Sequence, residues 1–270
     1  MKLDGLAEFA DGKILAGVRD RVGYLVINNP ERHNAISLAM YRAGAELVSA
    51  MAADPEARLL VIRGAGGKAF ASGADISKFE QERSTAEDVD IYAAASKSFS
   101  DAVFHFPKPT IAVIQGYCIG GGMGLAVACD MRLCEDKSRF AVPAAKLGLG
   151  YGYEGIRRLA NLVGPSMVKE IFYTARQFSA AEAYEMGLVN RVLAPHMLAA
   201  FADDYARRIA DNAPMTIESV KAITQALQGH EADLDLAGLD DMVKACFDSA
   251  DYIEGRRAFM EKRKPEFQGK

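Results

Sequence analysis

Apolar residues in this chain fall into short uniform runs in the first half and into helical periods in the second. Residues 13–19 and 22–28 read as two short strands about a turn at Asp20–Arg21, and Asn29-Pro30 ends the second. Ser37 is placed as an N-cap for a helix over 38–52, with Met40, Leu47, Val48 and Met51 on its apolar face. The run 59–62, closed by Gly64, has the character of a buried strand. A loop over 64–74 and a long helix over 86–104 follow, and Pro107 and Pro109 stop that helix. The spacing then predicts a strand over 110–114, a helix over 120–129 and brief strands over 131–134 and 138–141.

Strand–turn–helix units thus recur without a strict repeat length, which predicts an α/β fold of spiral plan. After about Gly155 helices dominate, expected over 166–174, 180–186, 195–212, 216–227, 234–248 and 253–263, with one strand over 189–193. No Pro- or Ser-rich linker separates the halves. The chain is expected to be one continuous unit, a core over 1–195 with a helical extension over 196–270.

Composition narrows the function classes. The chain has 270 residues, 50% hydrophobic and 25% charged, as a globular protein has. A formal net charge of −4 argues against general nucleic-acid binding. Cys118, Cys129, Cys134 and Cys246 form no CxxC pair and read as free thiols, so no metal site is expected. Residues 1–10 carry Asp4 and Glu8 and lack a long apolar core, unlike a secretory signal. The uncharged stretch 109–129 is long enough to span a bilayer, but Gln115 and its glycines fit a buried strand, a tight turn and a buried helix better. A cytoplasmic protein is expected.

Two glycine clusters follow buried strands. Gly64-Ala65-Gly66-Gly67-Lys68-Ala69 formally fits a dinucleotide fingerprint, yet loop residues follow it where a helix should begin. It lacks the earlier glycine and the Ser/Thr of a phosphate-binding P-loop. Gly120-Gly121-Gly122 opens a helix, where unsatisfied N–H groups and the helix dipole favour an anion or a developing oxyanion. Close helix–strand packing would also call for these glycines.

Three ordered segments resemble the crotonase (enoyl-CoA hydratase/isomerase) superfamily. They are Asn28-Asn29-Pro30-Glu31-Arg32-His33-Asn34-Ala35, Ala69-Phe70-Ala71-Ser72-Gly73-Ala74-Asp75-Ile76, and Lys108-Pro109 through Gly120-Gly121-Gly122 to Cys129-Asp130. The resemblance implies a crotonase-like spiral of ββα units, a C-terminal helical trimerisation region and a homotrimer or dimer of trimers. It implies an acyl-CoA substrate, with coenzyme A present as part of that substrate and no separate cofactor. It also implies an oxyanion hole made by the backbone N–H groups of Ala74 and Gly121, where one such donor is worth about 3–4 kcal/mol in a comparable acyl transfer. Arg32, Ala71, Ser72, Gly73, Asp75, Ile76, Gly120 and Lys262 become candidates for binding substrate or CoA, with Arg263 and Lys264 as further cations. Asp75 also suits the cap of a following short helix.

The chain departs from the hydratases of this family at two places. Their two glutamates correspond to Gly124 and Ala144, neither of which transfers protons. Each such acid or base is typically worth ~10²–10⁴-fold. The loop Leu147-Gly148-Leu149-Gly150-Tyr151-Gly152-Tyr153-Glu154-Gly155 lacks the aspartates that naphthoate synthases, dienoyl-CoA isomerases and aryl-CoA dehalogenases carry there. It is more similar to methylmalonyl-CoA decarboxylases, whose tyrosine aligns with Tyr151. The expected activity is therefore that of an acyl-CoA lyase, with 2-carboxyacyl-CoA decarboxylation ahead of hydration or isomerisation by a relocated acid/base, Glu154 or Tyr151. Tyr151 also reads as a packed loop residue and Glu154 as a helix-starting surface residue. A non-catalytic acyl-CoA-binding protein is the alternative from another class.

Overall fold

The computed structural model describes residues 5–74, 85–229 and 234–270. Two sheets grow in step as the chain advances. After the hairpins β1 (Ala7–Phe9), β2 (Ile14–Arg19) and β3 (Val22–Ile27), each unit lays one strand in a larger sheet, one in a smaller sheet, and then a helix. The pairs are β4 (Leu59–Gly64) with β5 (Ala69–Ala71), β6 (Thr110–Ile114) with β7 (Tyr117–Ile119), and β8 (Met131–Glu135) with β9 (Arg139–Ala141). Addition of β10 (Phe178–Ser179) and β11 (Arg191–Leu193) gives a seven-stranded sheet ordered β1-β2-β3-β4-β6-β8-β11 and a four-stranded sheet ordered β10-β9-β7-β5. From β3 to β11 the larger sheet is parallel. This is the spiral of ββα units.

Local chemistry accounts for the elements. Asp20 and Arg21 both take positive φ, so Arg19 pairs directly with Val22 in a two-residue hairpin. Helix α1 (Leu38–Ala53) buries Met40, Tyr41, Val48 and Met51. Ser37 is its N-cap residue, although its side chain makes no capping bond. Helix α2 (Ala86–Phe104) starts at a reciprocal capping box of Thr85 and Asp88. It crosses α1 where Gly44 meets the Phe99 ring, because a Cβ on Gly44 would stand 2.7 Å from that ring. Helix α3 (Gly121–Ala128) is apolar throughout and mostly buried, as befits a helix inside the spiral.

The rest of the chain is largely helical: α4 (Ala144–Leu147), α5 (Tyr153–Thr174), α6 (Ala180–Glu185), α7 (Pro195–Asp211), α8 (Pro214–Ala226), α9 (Leu236–Asp248) and α10 (Ala250–Glu261). Among the described residues no helix is long and apolar enough to cross a membrane.

Several expectations need correction. The loop expected over 64–74 contains β5, and the turn after β6 contains β7; three-residue strands are too short to show periodicity. Helix α5 starts at Tyr153 rather than 166 and bends at Gly164-Pro165, so its amphipathic first half escapes a reading that takes Pro165 as a start. The boundary at 195/196 falls after the first residue of α7, yet Leu198, Ala202, Ala206 and Ala210 of that helix pack on Val22, Leu59, Val61, Ile111 and Leu133 of the larger sheet. Helix α7 is therefore part of the core layer. Beyond it, Lys221 of α8 donates to the Asp130 carboxylate and the Lys108 carbonyl, both at 2.8 Å, which ties the following helices to the spiral.

Candidate active site

Three segments converge at one end of the sheets: residues 28–35, 69–74 and 116–122. Asn34 is their knot. It is fully buried, and its Nδ2 donates to the carbonyls of Ala65 (2.9 Å) and Ala69 (2.7 Å). Its Oδ1 accepts from the Asn29 N–H at 2.9 Å. His33 and Asn34 both adopt the left-handed conformation, one that Asn tolerates better than most residues. The Ser72 N–H donates to the His33 carbonyl at 3.1 Å and its hydroxyl to the Arg32 carbonyl at 3.3 Å. Arg32, Ala71, Ser72 and Gly73 are thereby brought together, with the Arg32 side chain exposed.

The second and third segments press backbone against backbone. Gly73 has φ +93°, and a Cβ there would stand 3.1 Å from the Ile119 carbonyl oxygen and 3.3 Å from the Gly121 nitrogen. A Cβ on Gly122 would lie 2.2 Å from the Ala71 carbonyl oxygen. Side chains at either position would drive the turns apart. Ala74 sits beside this contact, held by a parallel bridge to Ile36, whose N–H donates to the Gly73 carbonyl at 2.8 Å. Gly120 and Gly121 open α3, whose first-turn N–H groups have no acceptor within the helix. At the other end of α3, buried Arg132 donates to the carbonyls of Ala126, Cys129 and Asp130. This arrangement satisfies the negative end of the helix and leaves the positive end facing the turn.

The positions expected to supply proton chemistry offer little of it. A Cβ on Gly124 would meet nothing within 4 Å, and Ala144 is buried. Tyr151 is partly exposed and lies edge-on to Phe172, with ring centroids 4.9 Å apart. Glu154 lies in the first turn of α5 and its Oε2 accepts from Arg157 at 2.8 and 3.1 Å. Burial pushes the Cys118 thiol well above its ordinary range and the Cys129 thiol up to about 12, so neither supplies a thiolate near neutral pH. Asp75 and Ile76 lie outside the described residues. Lys262 is exposed at the C-cap of α10, while Arg263 pairs with Glu254 and Glu261, and Lys264 with Asp211.

Two tyrosines at this site are absent from the residues expected from sequence. The Tyr41 hydroxyl stands 2.7 Å from where a Gly121 Cβ would lie. Tyr92, edge-on to Tyr41 with centroids 5.3 Å apart, donates its hydroxyl to the Ile36 carbonyl at 2.7 Å. The signal available in sequence was their place on helical faces that bury other residues: Tyr41 lies one position from Met40 and two turns before Val48.

The chain is similar to known proteins over nearly its whole length. A family model described as enoyl-CoA hydratase/isomerase matches residues 17–270. A crotonyl-CoA hydratase of Syntrophomonas wolfei is 36% identical over 256 residues, covering 94% of this chain and 97% of the relative. A carnitinyl-CoA dehydratase of Salmonella arizonae is 34% identical over 240 residues, covering 87% and 91%. The crystal structure of an enoyl-CoA hydratase/carnithine racemase from Magnetospirillum magneticum superposes with a TM-score of 0.91 at 34% identity, covering 96% of each chain.

Proposed function

We infer the chemistry from one premise: the chain belongs to the enoyl-CoA hydratase/isomerase (crotonase) family. Its substrate is an acyl-CoA thioester, and the N–H groups of Ala74 and Gly121 hold the thioester oxygen as negative charge develops on it. The reaction is decarboxylation of a 2-carboxyacyl-CoA. The bond from the α-carbon to the carboxylate breaks, CO₂ leaves, and the electron pair passes to the oxygen between the two donors. A proton from water then reaches the α-carbon.

One observation carries this reading. The donor wall is packed backbone to backbone, whereas Gly124, open around its Cβ position, and buried Ala144 bring no carboxylate where the family resemblance expects two glutamates. An enolate formed by loss of CO₂ needs no strong base. The absence of carboxylates at those two positions also spares the substrate carboxylate a like-charge encounter. Tyr151 is assigned to orient that carboxylate. Arg32, Ser72, Gly73 and Lys262 are assigned to the CoA moiety, and Asp75, Ile76, Ala71 and Gly120 to its borders.

The hydratase and dehydratase names of the relatives favour a second reading, hydration with Glu154 or Tyr151 as relocated acid/base. The Arg157 pair on Glu154 weighs against it. Incubating the purified protein with 2-carboxyacyl-, enoyl- and 3-hydroxyacyl-CoA thioesters, followed by mass spectrometry, separates them. Loss of CO₂ from a 2-carboxyacyl-CoA is expected to dominate. Water addition to crotonyl-CoA as the dominant reaction would reject decarboxylation. Tight binding without turnover of any thioester would make this an acyl-CoA-binding protein.

The protein is further proposed to work as a homotrimer or dimer of trimers in the cytoplasm. An apolar groove of about 890 Å³ between α8, α9, α10 and the C-terminal tail supports the assembly, with Phe259 83% and Met260 81% exposed beside it. A monomer by light scattering would reject it.

A further inference from the structure

Both proposed donors are held by the start of one helix. Ile36 lies just before the Ser37 cap of α1, and Tyr41 lies in that helix's first turns, its N–H donating to the Ser37 carbonyl at 3.0 Å. Ile36 grips the first donor strand through its bridge to Ala74 and its hydrogen bond to the Gly73 carbonyl. The Tyr92 hydroxyl holds Ile36 from the other side at 2.7 Å. Tyr41 meets the second donor, since its hydroxyl fills the space that a Gly121 side chain would take. Tyr41 is 2% exposed and its ring is boxed by the edges of Tyr92 and Phe99. The hydroxyl therefore has a fixed position relative to Ile36.

We propose that Tyr41 is a positioning residue that acts through Gly121: its hydroxyl backs the second donor while Ile36, steadied by Tyr92, holds the first, so that α1 gauges the distance between them. The proposal rests on the reading that Ala74 and Gly121 bind an enolate. It assigns Tyr41 no contact with substrate. Loss of the hydroxyl leaves Gly121 room to move, which weakens binding of a charged enolate far more than binding of a neutral thioester, because only the enolate depends steeply on both donors.

The test reads the enolate rather than turnover. Acetoacetyl-CoA forms an enolate with its own near-ultraviolet absorption, and butyryl-CoA serves as a thioester that forms none under the same conditions. In the wild-type protein the acetoacetyl-CoA enolate band is expected near neutral pH. In Tyr41→Phe the enolate is expected to bind about tenfold more weakly, less than the 10²–10³-fold reported for outright loss of one donor. Its band should appear only at higher pH, while butyryl-CoA affinity stays within about twofold, because a neutral thioester depends weakly on the second donor. Tyr92→Phe is expected to shift the band in the same direction, by less. An unchanged band in Tyr41→Phe, or equal weakening of both ligands, would overturn the proposal. If Tyr41→Phe does not fold by circular dichroism, Tyr92→Phe decides by the same two readings. A wild-type protein that binds acetoacetyl-CoA without the band would overturn the enolate reading itself, and the role of Tyr41 with it.

Discussion

The turn at Gly73 and Gly121 and the loop at 147–155 are both rich in glycine, but their glycines do opposite things. At the turn, neighbouring backbone or a tyrosine hydroxyl already occupies the space where side chains would go. In the loop, Cβ atoms on Gly148, Gly150 and Gly152 would meet nothing within 4 Å, and Leu147, Leu149 and Tyr153 are exposed. The chemistry proposed for the first region uses main-chain N–H groups, whose positions packing must fix. The second presents side chains to open space, and at Gly150 and Gly152 substitution would leave the frame undisturbed. The fold therefore constrains the geometry of the glycine turn more firmly than it constrains which side chains the loop presents.

The largest effect that would test this contrast is at Gly122. Gly122→Ala places a Cβ 2.2 Å from a backbone oxygen that has no flexible end to move. A loss of about 3 kcal/mol, at the upper end for overpacking, is expected by urea denaturation. Wild-type stability would mean that the turn is not tightly held. A smaller effect is expected at Gly124, where the added side chain meets open space. Gly124→Glu should fold with stability unchanged within about 1 kcal/mol, since a glycine inside a helix is replaced by a better helix former. Its decarboxylation rate should nevertheless fall about tenfold or more through repulsion of the substrate carboxylate. An unchanged rate would place position 124 away from that carboxylate. The smallest effect is expected from Glu154→Gln, because its pair with Arg157 is partly solvated. Thermal denaturation should register a change within about 0.5 kcal/mol. Turnover should hold within about twofold, whereas its abolition would mark Glu154 as the relocated acid/base.

Elements with an uninterrupted pattern were legible from sequence, whereas α5, bent at Gly164-Pro165, was only half so. The helix over 86–104 and the strand over 110–114 agree with α2 and β6 to the residue. In the smaller sheet β9 was legible as the strand over 138–141, but β5 and β7 were not, because they have three residues each and pair with each other across a long stretch of sequence. At the site, the motifs located the segments that meet. They did not disclose what holds the segments together. Asn34 reads as a motif letter until its bonds to Ala65 and Ala69 are seen, and Tyr41 reads as one more buried residue on α1. Arg132 gives no periodic signal, since a buried guanidinium is justified only by carbonyls brought to it from α3 and from Leu188. Such roles depend on tertiary neighbours rather than on local pattern.

Asn34 also bears on the order in which the site can assemble. Its side-chain bonds reach 31 and 35 residues ahead, and they need nothing beyond β5. Loop closure over such lengths costs little more than over half the distance, about 0.6 kcal/mol per doubling. The segment that carries Gly73 and Ala74 can therefore be folded back and locked by its own early stretch of chain. The glycine turn before α3 then arrives at a surface already shaped to receive it, so the two halves of the site meet as template and casting.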